Sequence, residues 1–182
     1  MYRILTVESR IRVPPEKLGK DVKKSIKESI AEQLEGSIDS RLGVILAVVS
    51  VDEVGEGKIL PGDPGVHYQA KFKILTFKPE VNELVYGEVI DNTEFGSFVR
   101  IGPLDGLVHI SQLMDDFVSY DAKNSVFLGK QTRKTLKEGD RVIARIIASS
   151  VGKEENKLGL TMRQAGLGAI HWLEEEKKKK KK

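Results

Sequence analysis

The stretch EFGSFVRIGPLDGLVHIS, residues 94–111, decides the fold of the second half of this chain. Before its Gly-Pro-Leu-Asp-Gly turn, apolar residues alternate with polar ones, and a two-residue period is typical of a strand with one buried face. This alternation turns Val99 and Ile101 towards a core and leaves Phe98 and Arg100 on the outside. The stretch therefore predicts a β-hairpin whose outer surface begins with an aromatic ring and a cation.

The second half of the same stretch extends this outer surface. Alternation after the turn places Val108 and Ile110 inside and His109 outside. A tight glycine turn can bring Phe95 beside Phe98, so that two rings and an imidazole share one wall. The alternative is that one or both phenylalanines close the end of a small barrel, since single exposed apolar residues are also common.

Three further segments have the same character as this hairpin. Residues 84–91, 140–151 and 157–164 are short and apolar on one face, and Gly or Asp turns separate them. Such spacing favours a small all-β barrel, which we assign to residues 81–173. A long insertion over residues 114–137 interrupts the barrel and contains a possible hairpin of its own.

The predicted barrel carries a candidate surface for single-stranded RNA. Bases stack on aromatic faces for roughly 1–3 kcal/mol each, while cationic side chains follow the phosphates. Such contacts carry little base information, so we expect largely sequence-tolerant binding. Arginines of the strand over residues 140–151 share one face with this wall. The candidate RNA-binding residues are Phe95, Phe98, Arg100, His109, Arg141 and Arg145.

The first half of the chain, residues 1–80, has a different pattern. Residues 2–13 and 66–77 alternate like strands, and residues 42–54 form a β-branched run typical of a buried strand. Between the first two strands, apolar residues recur every four positions and predict one amphipathic helix. Pro15 suits its first position and Gly36 its end. The predicted stripe consists of Leu18, Val22, Ile26, Ile30 and Leu34. The fold class is therefore α+β: a βαββ module followed by the barrel and a short C-terminal helix.

Residues 52–65, with the neighbouring segment 36–43, are rich in glycine or proline and predict loops rather than regular structure. Glycines permit close backbone approach, and apolar residues on a loop can anchor a partner. The alternative is an ordinary connection whose apolar residues fold back on the sheet. The candidate docking residues are Gly55, Gly57, Ile59, Leu60, Pro61 and Gly62.

The net charge of +3 does not by itself indicate nucleic-acid binding. Residues 1–80 carry 13 basic and 12 acidic residues, and residues 81–173 carry 11 and 12. The excess therefore lies in residues 174–182, EEEKKKKKK, which we expect to be a flexible charged tail. Such a tail could add non-specific phosphate contacts.

Several classes of chemistry are excluded or disfavoured. The absence of cysteine excludes disulfides and thiolate sites and fits a cytoplasmic location. The three histidines lack metal-ligand spacing, and no window has the length and hydropathy of a membrane span. Asp115 and Asp116 form a carboxylate pair, but solvated surface is the simpler interpretation. We expect no catalytic site, no metal and no cofactor.

These motifs resemble a known RNA-binding family. The segments YGEVIDNTEFGSFVRIGPLDGLVHISQL, GDRVIARIIA and KLGLTMRQ are similar to the S-one domain, an OB-fold repeat, over most of residues 82–163. The resemblance implies an RNA face at Phe95, Phe98, His109 and the strand around Arg145. The insertion at 114–137 departs from minimal repeats.

The whole chain resembles the E-prime family of archaeal RNA polymerase stalk subunits, in which a truncated RNP-like tip module precedes an S-one domain. This resemblance implies a heterodimer with the small helical stalk partner, the polymerase's F subunit. It also implies docking of the tip to the polymerase core near the clamp, and contact with nascent single-stranded RNA. The alternative is an S-one factor of translation initiation or of the exosome. An RNA-processing enzyme is disfavoured because no catalytic constellation is present.

Overall fold

The computed structural model describes residues 1–19, 21–152 and 156–180 and divides into two compact units, Met1–Lys78 and Pro79–Lys182. The sequence pattern places the boundary two residues later, after residue 80. Within the described residues, no helix is both long and apolar enough to cross a membrane.

The first unit is a four-stranded antiparallel sheet with one helix against it. Its core joins Ile26 and Ile30 of the helix to Phe72 and Ile74 of the sheet, and all four side chains are fully buried. The elements are β1 (Tyr2–Val13), a 3-10 turn (Pro15–Lys17), α1 (Val22–Leu34), β2 (Ile38–Asp39), β3 (Gly43–Ile59) and β4 (Val66–Phe77). The sheet order is β1-β4-β3-β2, which confirms the predicted βαββ class.

The predicted start of helix α1 is wrong. Pro15 opens the 3-10 turn instead, and Gly19 then takes a left-handed φ of +93°, which interrupts any continuous helix. Asp21 caps α1 by accepting a hydrogen bond of 2.9 Å from the backbone N–H two residues on. Leu18 and Val22 are consequently exposed, and only the later part of the predicted stripe packs on the sheet.

The loop predicted over residues 52–65 is mostly strand. Strand β3 continues to Ile59 and pairs with β4 throughout, so the connection is only residues 60–65. The register of β3 shifts repeatedly, for example between Val54 and Gly57. A Cβ on Gly57 would lie 2.8 Å from the ring of Tyr68, so glycine is required where that ring crosses the strand. These bulges disrupt the alternation by which a strand is recognised.

The second unit is built on a closed five-stranded barrel. The elements are β5 (Leu84–Thr93), β6 (Gly96–Ile101), β7 (Leu104–His109), a 3-10 turn (Ile110–Gln112), β8 (Val118–Asp121), β9 (Val126–Gly129), β10 (Thr135–Leu136), β11 (Arg141–Val151), β12 (Asn156–Thr161), β13 (Gly168–Ala169) and α2 (Ile170–Lys180). Strand β12 pairs in parallel with β7 and antiparallel with β11, and β5 and β6 complete the ring. This arrangement confirms the predicted OB-fold.

Side chains inside the barrel follow the predicted alternation, with one exception. Val99, Ile101 and Val108 are at most 2% exposed and lie in the core. Ile110 is only half-buried because the chain leaves β7 there and begins the 3-10 turn. The prediction that Ile110 faces inward as a strand residue is therefore wrong.

The insertion over residues 114–137 forms a small sheet of its own, in the order β10-β9-β8, and β8 and β9 make a hairpin. Phe127 of β9 and Leu136 of β10 are fully buried. Asn92 of the barrel donates hydrogen bonds to the carbonyls of Ser125 and Leu136, at 2.9 and 3.3 Å. Hydrogen bonds from Asn92 thus tie the insertion to the barrel.

Helix α2 extends further than the sequence suggests, because residues 174–180 of the predicted tail belong to it. Trp172 is 3% exposed and its indole Nε1 donates a hydrogen bond of 2.9 Å to the carbonyl of Thr135 in β10. Residues 181 and 182 of the predicted tail lie outside the described residues.

Candidate nucleic-acid interface

The turn between β5 and β6 brings two phenylalanines together. Thr93 Oγ1 donates a hydrogen bond of 3.0 Å to the carbonyl of Gly96 and closes the turn. A Cβ on Gly96 would lie 2.4 Å from the carbonyl oxygen of Val108, so only glycine allows β6 to approach β7 here. The rings of Phe95 and Phe98 meet edge to face, with centroids 5.9 Å apart and planes at 89°. Phe95 is 46% exposed.

The β6–β7 register places the predicted residues on one face. Phe98 lies opposite Leu107, Arg100 lies opposite Asp105, and His109 lies opposite the first residue of β6. Directly opposed residues of an antiparallel pair share a face. The outer wall predicted for this hairpin, with aromatic, imidazole and guanidinium groups, is therefore present in the structure.

The imidazole of His109 is held in one orientation. Its Nδ1 accepts a hydrogen bond of 3.3 Å from the backbone N–H of Ser111 and lies 2.9 Å from the Ser111 hydroxyl oxygen. Because Nδ1 accepts from the backbone, the ring proton of the neutral imidazole lies on Nε2. That nitrogen remains a donor at the surface.

The wall forms one side of a largely apolar groove of about 650 Å³, and the β11–β12 hairpin forms the other side. Parallel pairing sets Gly159 of β12 opposite Leu107, so a residue without a side chain lies beside the aromatic wall. The lining residues are Phe98, Asp105, Leu107, His109, Gln112, Ile147, Ala148, Asn156, Lys157, Leu158, Gly159 and Leu160. The groove therefore has the aromatic and apolar surface needed to hold a nucleobase.

Sequence reasoning missed the residues that β12 and the 3-10 turn contribute to this groove, above all Gln112 and Lys157. Alternation along β12 does place Lys157 and Gly159 on its outer face, which is a usable signal. The pairing of β12 with β7 is the missing information, because the two strands lie about fifty residues apart in the sequence.

None of the three predicted arginines is among the residues that line the groove. Arg100 Nε donates to Asp105 Oδ1 at 3.2 Å, and both side chains are exposed. Glu88 of β5 lies opposite both Arg100 and Arg141. These residues form a row of alternating charge across four strands, which reduces the positive potential available to phosphates.

Arg145 lies closer to the groove. It is half-buried, and its Nε is buried without a hydrogen-bond partner among the described residues. Its neighbour across the β11–β12 pair is Thr161, whose Oγ1 donates a hydrogen bond of 2.8 Å to Gln112 Oε1. The structure thus places Phe98 and His109 in the lining of the groove and Phe95 against Phe98. Arg145 lies outside the lining, opposite Thr161, which is hydrogen-bonded to the lining residue Gln112.

In the first unit, the candidate docking residues lie at the end of the β3–β4 ribbon. Ile59 is 73% exposed and Leu60 is 39% exposed, so Ile59 does not fold back on the sheet. Gly55 and Gly57 lie within β3, whereas Pro61 and Gly62 lie in the turn, where Gly62 has a φ of +83°.

A carboxylate organises this turn. Asp63 accepts hydrogen bonds from Arg12 Nη2 at 2.7 Å and from the backbone N–H of Gly65 at 2.9 Å, and it lies 2.8 Å from His67 Nε2. The Arg12 guanidinium, with the two other partners, holds the pKa of Asp63 well below its usual range. The side chain is therefore a structural anion.

The adjacent carboxylates Asp115 and Asp116 each pair with groups of the same unit, and the Asp115 side chain remains 76% exposed. Asp115 accepts from Arg163 at 2.8 Å. The backbone N–H and hydroxyl of Thr132 donate to Asp116 at 2.8 and 2.7 Å, and these bonds lower the pKa of Asp116. Across residues 1–19, 21–152 and 156–180, no group of three or more His, Cys, Asp or Glu side chains is arranged to hold a metal ion.

Comparison with protein families assigns both halves of the chain. Residues 8–64 match the family model described as "SHS2 domain found in N terminus of Rpb7p/Rpc25p/MJ0397". Residues 78–163 match the S1 (S-one) RNA binding domain.

Comparison with individual proteins identifies relatives that match over most or all of their length. DNA-directed RNA polymerase subunit Rpo7 of Saccharolobus shibatae is 37% identical over 98% of this chain and 100% of the relative. The Rpo7 subunit of Sulfolobus acidocaldarius is 32% identical over 97% of each chain. DNA-directed RNA polymerase II subunit RPB7 of Saccharomyces cerevisiae is 30% identical over 67% of this chain and 72% of the relative. Rpo7 is an accessory, non-catalytic subunit, and the activity of its polymerase lies in other subunits. An SHS2 module followed by an S-one barrel, matched end to end by Rpo7 relatives, shows that this chain belongs to the family of the archaeal RNA polymerase subunit Rpo7.

Proposed function

We propose that this chain is a stalk subunit of DNA-directed RNA polymerase that binds nascent single-stranded RNA through its barrel. The observation that carries the proposal is the groove between Phe98 with His109 and the β11–β12 hairpin. The groove is open and apolar, has aromatic and imidazole groups on one side, and has Lys157 on the other. Stacking of bases on such groups, with cations along the phosphates, is how OB-folds hold single strands.

Duplex nucleic acid does not fit this site. Single-stranded bases can leave their stack and enter a groove, whereas bases in an A-form helix are paired and stacked. Phe95 and Phe98 offer ring faces to bases only where those bases are splayed apart. The barrel is therefore suited to a transcript that has just left a polymerase and has not yet folded.

Replacement of Phe95, Phe98 and His109 by alanine tests RNA binding. We expect the triple variant to lose at least about tenfold in affinity for a single-stranded RNA, because each lost stacking contact is worth roughly 1–3 kcal/mol. Fluorescence anisotropy with a labelled oligonucleotide measures the change, and circular dichroism verifies the fold. Phe117→Ala is a matched control, since Phe117 is 71% exposed in the insertion and does not line the groove. Unchanged affinity in a folded triple variant would show that this wall does not bind RNA.

We further propose that the chain pairs with the small helical F subunit and docks to the polymerase core near the clamp through the end of the β3–β4 ribbon. The exposure of Ile59 and Leu60 on a turn held by the Asp63 hydrogen bonds supports the docking assignment. Recovery of the core and a small helical protein with the tagged chain at high salt would support both contacts. Recovery of ribosomal or exosome subunits instead would contradict them.

A further inference from the structure

Four basic side chains lie on one face of the first unit, next to the turn that joins β3 to β4. Lys58, His67 and Arg12 lie opposite one another across β3, β4 and β1. Arg10 lies opposite Gln69, which is two residues from His67 along β4, so alternation places Arg10 on the same face. The end of the ribbon therefore carries a group of basic residues beside the candidate docking residues.

Asp63 of the turn engages two of these four side chains. Its carboxylate accepts hydrogen bonds from Arg12 Nε at 2.8 Å and from Arg12 Nη2 at 2.7 Å, and it lies 2.8 Å from His67 Nε2. A Cβ on Gly65 would lie 3.0 Å from Arg12 Nε, so the glycine gives the guanidinium room to reach Asp63. Arg12 and His67 consequently hold the turn and are not available to a partner.

The other two basic side chains, Arg10 and Lys58, have no partner. Within residues 1–19, 21–152 and 156–180, neither side chain forms an ion pair or a hydrogen bond, and both residues are exposed. Glu56 is the one acidic residue among their neighbours in the same cleft, and it forms no ion pair with either of them. Two positive charges thus face one negative charge, which favours an anionic partner.

These side chains line a small cleft. Its volume is about 110 Å³, and Leu60 forms part of its wall. The lining residues are Arg10, Glu56, Lys58, Leu60, His67 and Gln69. Sites for small molecules usually measure about 300–1,000 Å³, so this cleft has room for a side chain rather than for a cofactor.

The surroundings of the cleft favour a protein over a nucleic acid. Its described lining contains no Phe, Tyr or Trp ring on which a base could stack, whereas the groove of the barrel contains Phe98. The exposed aliphatic side chains of Ile59 and Leu60 lie at the same end of the ribbon. Apolar contacts surrounded by polar and charged groups are the usual composition of a protein–protein interface.

From these observations we propose that the cleft receives the carboxylate of an aspartate or glutamate of the polymerase core, an inference that rests on the proposed docking function. The carboxylate pairs with Arg10 and Lys58, while Ile59 and Leu60 make the apolar contact. Electrostatic complementarity of this kind contributes to specificity and to the rate of association more than to affinity. The end of the ribbon is thereby selective for an acidic surface, and its contact with the core weakens as the salt concentration rises.

The first test is competition between a tagged Arg10→Gln, Lys58→Gln variant and the wild-type chain during polymerase assembly. It is run at about 0.1 M and about 1 M salt, because the Debye length falls from about 10 Å to about 3 Å between them. We expect about fivefold less incorporation of the variant at low salt and a difference within about twofold at high salt. Lys23→Gln, Lys24→Gln is the matched control, since it removes the same charge from exposed positions of α1 and should be incorporated like the wild type. Circular dichroism verifies the fold.

The second test identifies the occupant by zero-length cross-linking of the assembled polymerase. A carbodiimide activates a carboxyl group, the neighbouring lysine Nζ forms an amide with it, and the carbodiimide leaves as its urea. We expect mass spectrometry to find Lys58 joined to an aspartate or glutamate of a core subunit. Lys58→Arg keeps the positive charge, so it should retain full incorporation while it loses the cross-link.

The outcomes separate this inference from the docking proposal. Loss of incorporation in the Ile59→Lys, Leu60→Lys variant, with normal incorporation of Arg10→Gln, Lys58→Gln, would overturn the carboxylate cleft and leave docking intact. Normal incorporation of both variants would overturn both proposals. A folded cleft variant that is incorporated normally but binds single-stranded RNA more weakly would show that the cleft contacts RNA instead. Absence of any cross-link from Lys58 of the wild-type chain to the core would also overturn the cleft, even if a variant does not fold.

Discussion

At the scale of single residues, the turn at the end of the first unit depends on one carboxylate. Asp63 receives hydrogen bonds from Arg12 and Gly65 and contacts His67, and these partners join β1, the turn and β4. Stabilisation by an anion whose pKa is depressed is complete above the ordinary aspartate pKa of about 4 and is lost as the pH falls through the folded value.

Asp63→Asn should therefore lower the melting temperature of the chain at pH 7, and the difference from the wild type should narrow as the pH falls from about 5 towards 2. Thermal unfolding by circular dichroism across this pH range measures both effects. Glu56→Gln, which removes the same charge from an exposed position of β3, serves as the control. A difference that stays constant with pH would show that the charge of Asp63 does not stabilise the turn.

At the scale of elements, helix α2 depends on one tryptophan. The ring of Trp172 lies against Gly168, where a Cβ would come within 2.7 Å of it and where φ is +121°. Its indole donates to the Thr135 carbonyl, and Lys134 lies 5.5 Å above the ring and 2.6 Å from Glu176. Trp172 therefore packs helix α2 against Gly168 and joins it by a hydrogen bond to Thr135 of the insertion.

Trp172→Ala should destabilise the second unit by about 3–5 kcal/mol, the usual cost of removing a buried tryptophan ring. Trp172→Phe keeps an aromatic ring but loses the donor to Thr135, so about 1–3 kcal/mol is expected. Urea unfolding followed by circular dichroism gives both values, because the chain has one tryptophan and its fluorescence disappears with the substitution. Phe117→Ala, at a 71% exposed position, should change stability by less than about 0.5 kcal/mol. An unaltered midpoint for Trp172→Ala would show that the helix is not anchored in this way.

At the scale of the whole molecule, the two units have different surfaces and different proposed partners. The barrel unit has the apolar groove for RNA, and the first unit has exposed Ile59 and Leu60 at the end of its ribbon. Burial of one such aliphatic side chain in an interface is worth about 1.5–3 kcal/mol. The double variant Ile59→Lys, Leu60→Lys should thus weaken incorporation into the polymerase by at least about tenfold.

Competition between tagged variant and wild-type chains during assembly, followed by quantification in the purified polymerase, measures this change. Val49→Lys controls for an added charge on β3, since Val49 is 44% exposed away from the turn. The barrel is unchanged in both variants, so RNA binding by the isolated chain should stay the same. Equal incorporation of the double variant and the wild type would show that the end of the ribbon does not contribute to the proposed interface.

The parts of this protein that alternation or helical periodicity encodes could be predicted from the sequence. The burial of Val99, Ile101 and Val108, the exposure of His109, and the burial of Ile26 and Ile30 all follow from side-chain parity, a local property of the chain. The S-one domain was also recognisable, because the glycine turns and aromatic positions of the barrel stand in a characteristic order, and the whole chain resembled the stalk-subunit family.

The β-bulges and the contacts between distant strands were decided by the tertiary structure alone, because local sequence patterns do not encode them. The bulges that extend β3 through residues 52–59 need β4 as a partner, since an extra residue in one strand is defined only against another. The groove needs β12 beside β7, and the hydrogen bond from Thr161 to Gln112 joins two residues that are distant in sequence. Sequence by itself thus determined which residues face outward from the barrel. Strand pairing determined which of them come into contact, because the pairing of strands that are far apart in the sequence is not encoded in local side-chain alternation.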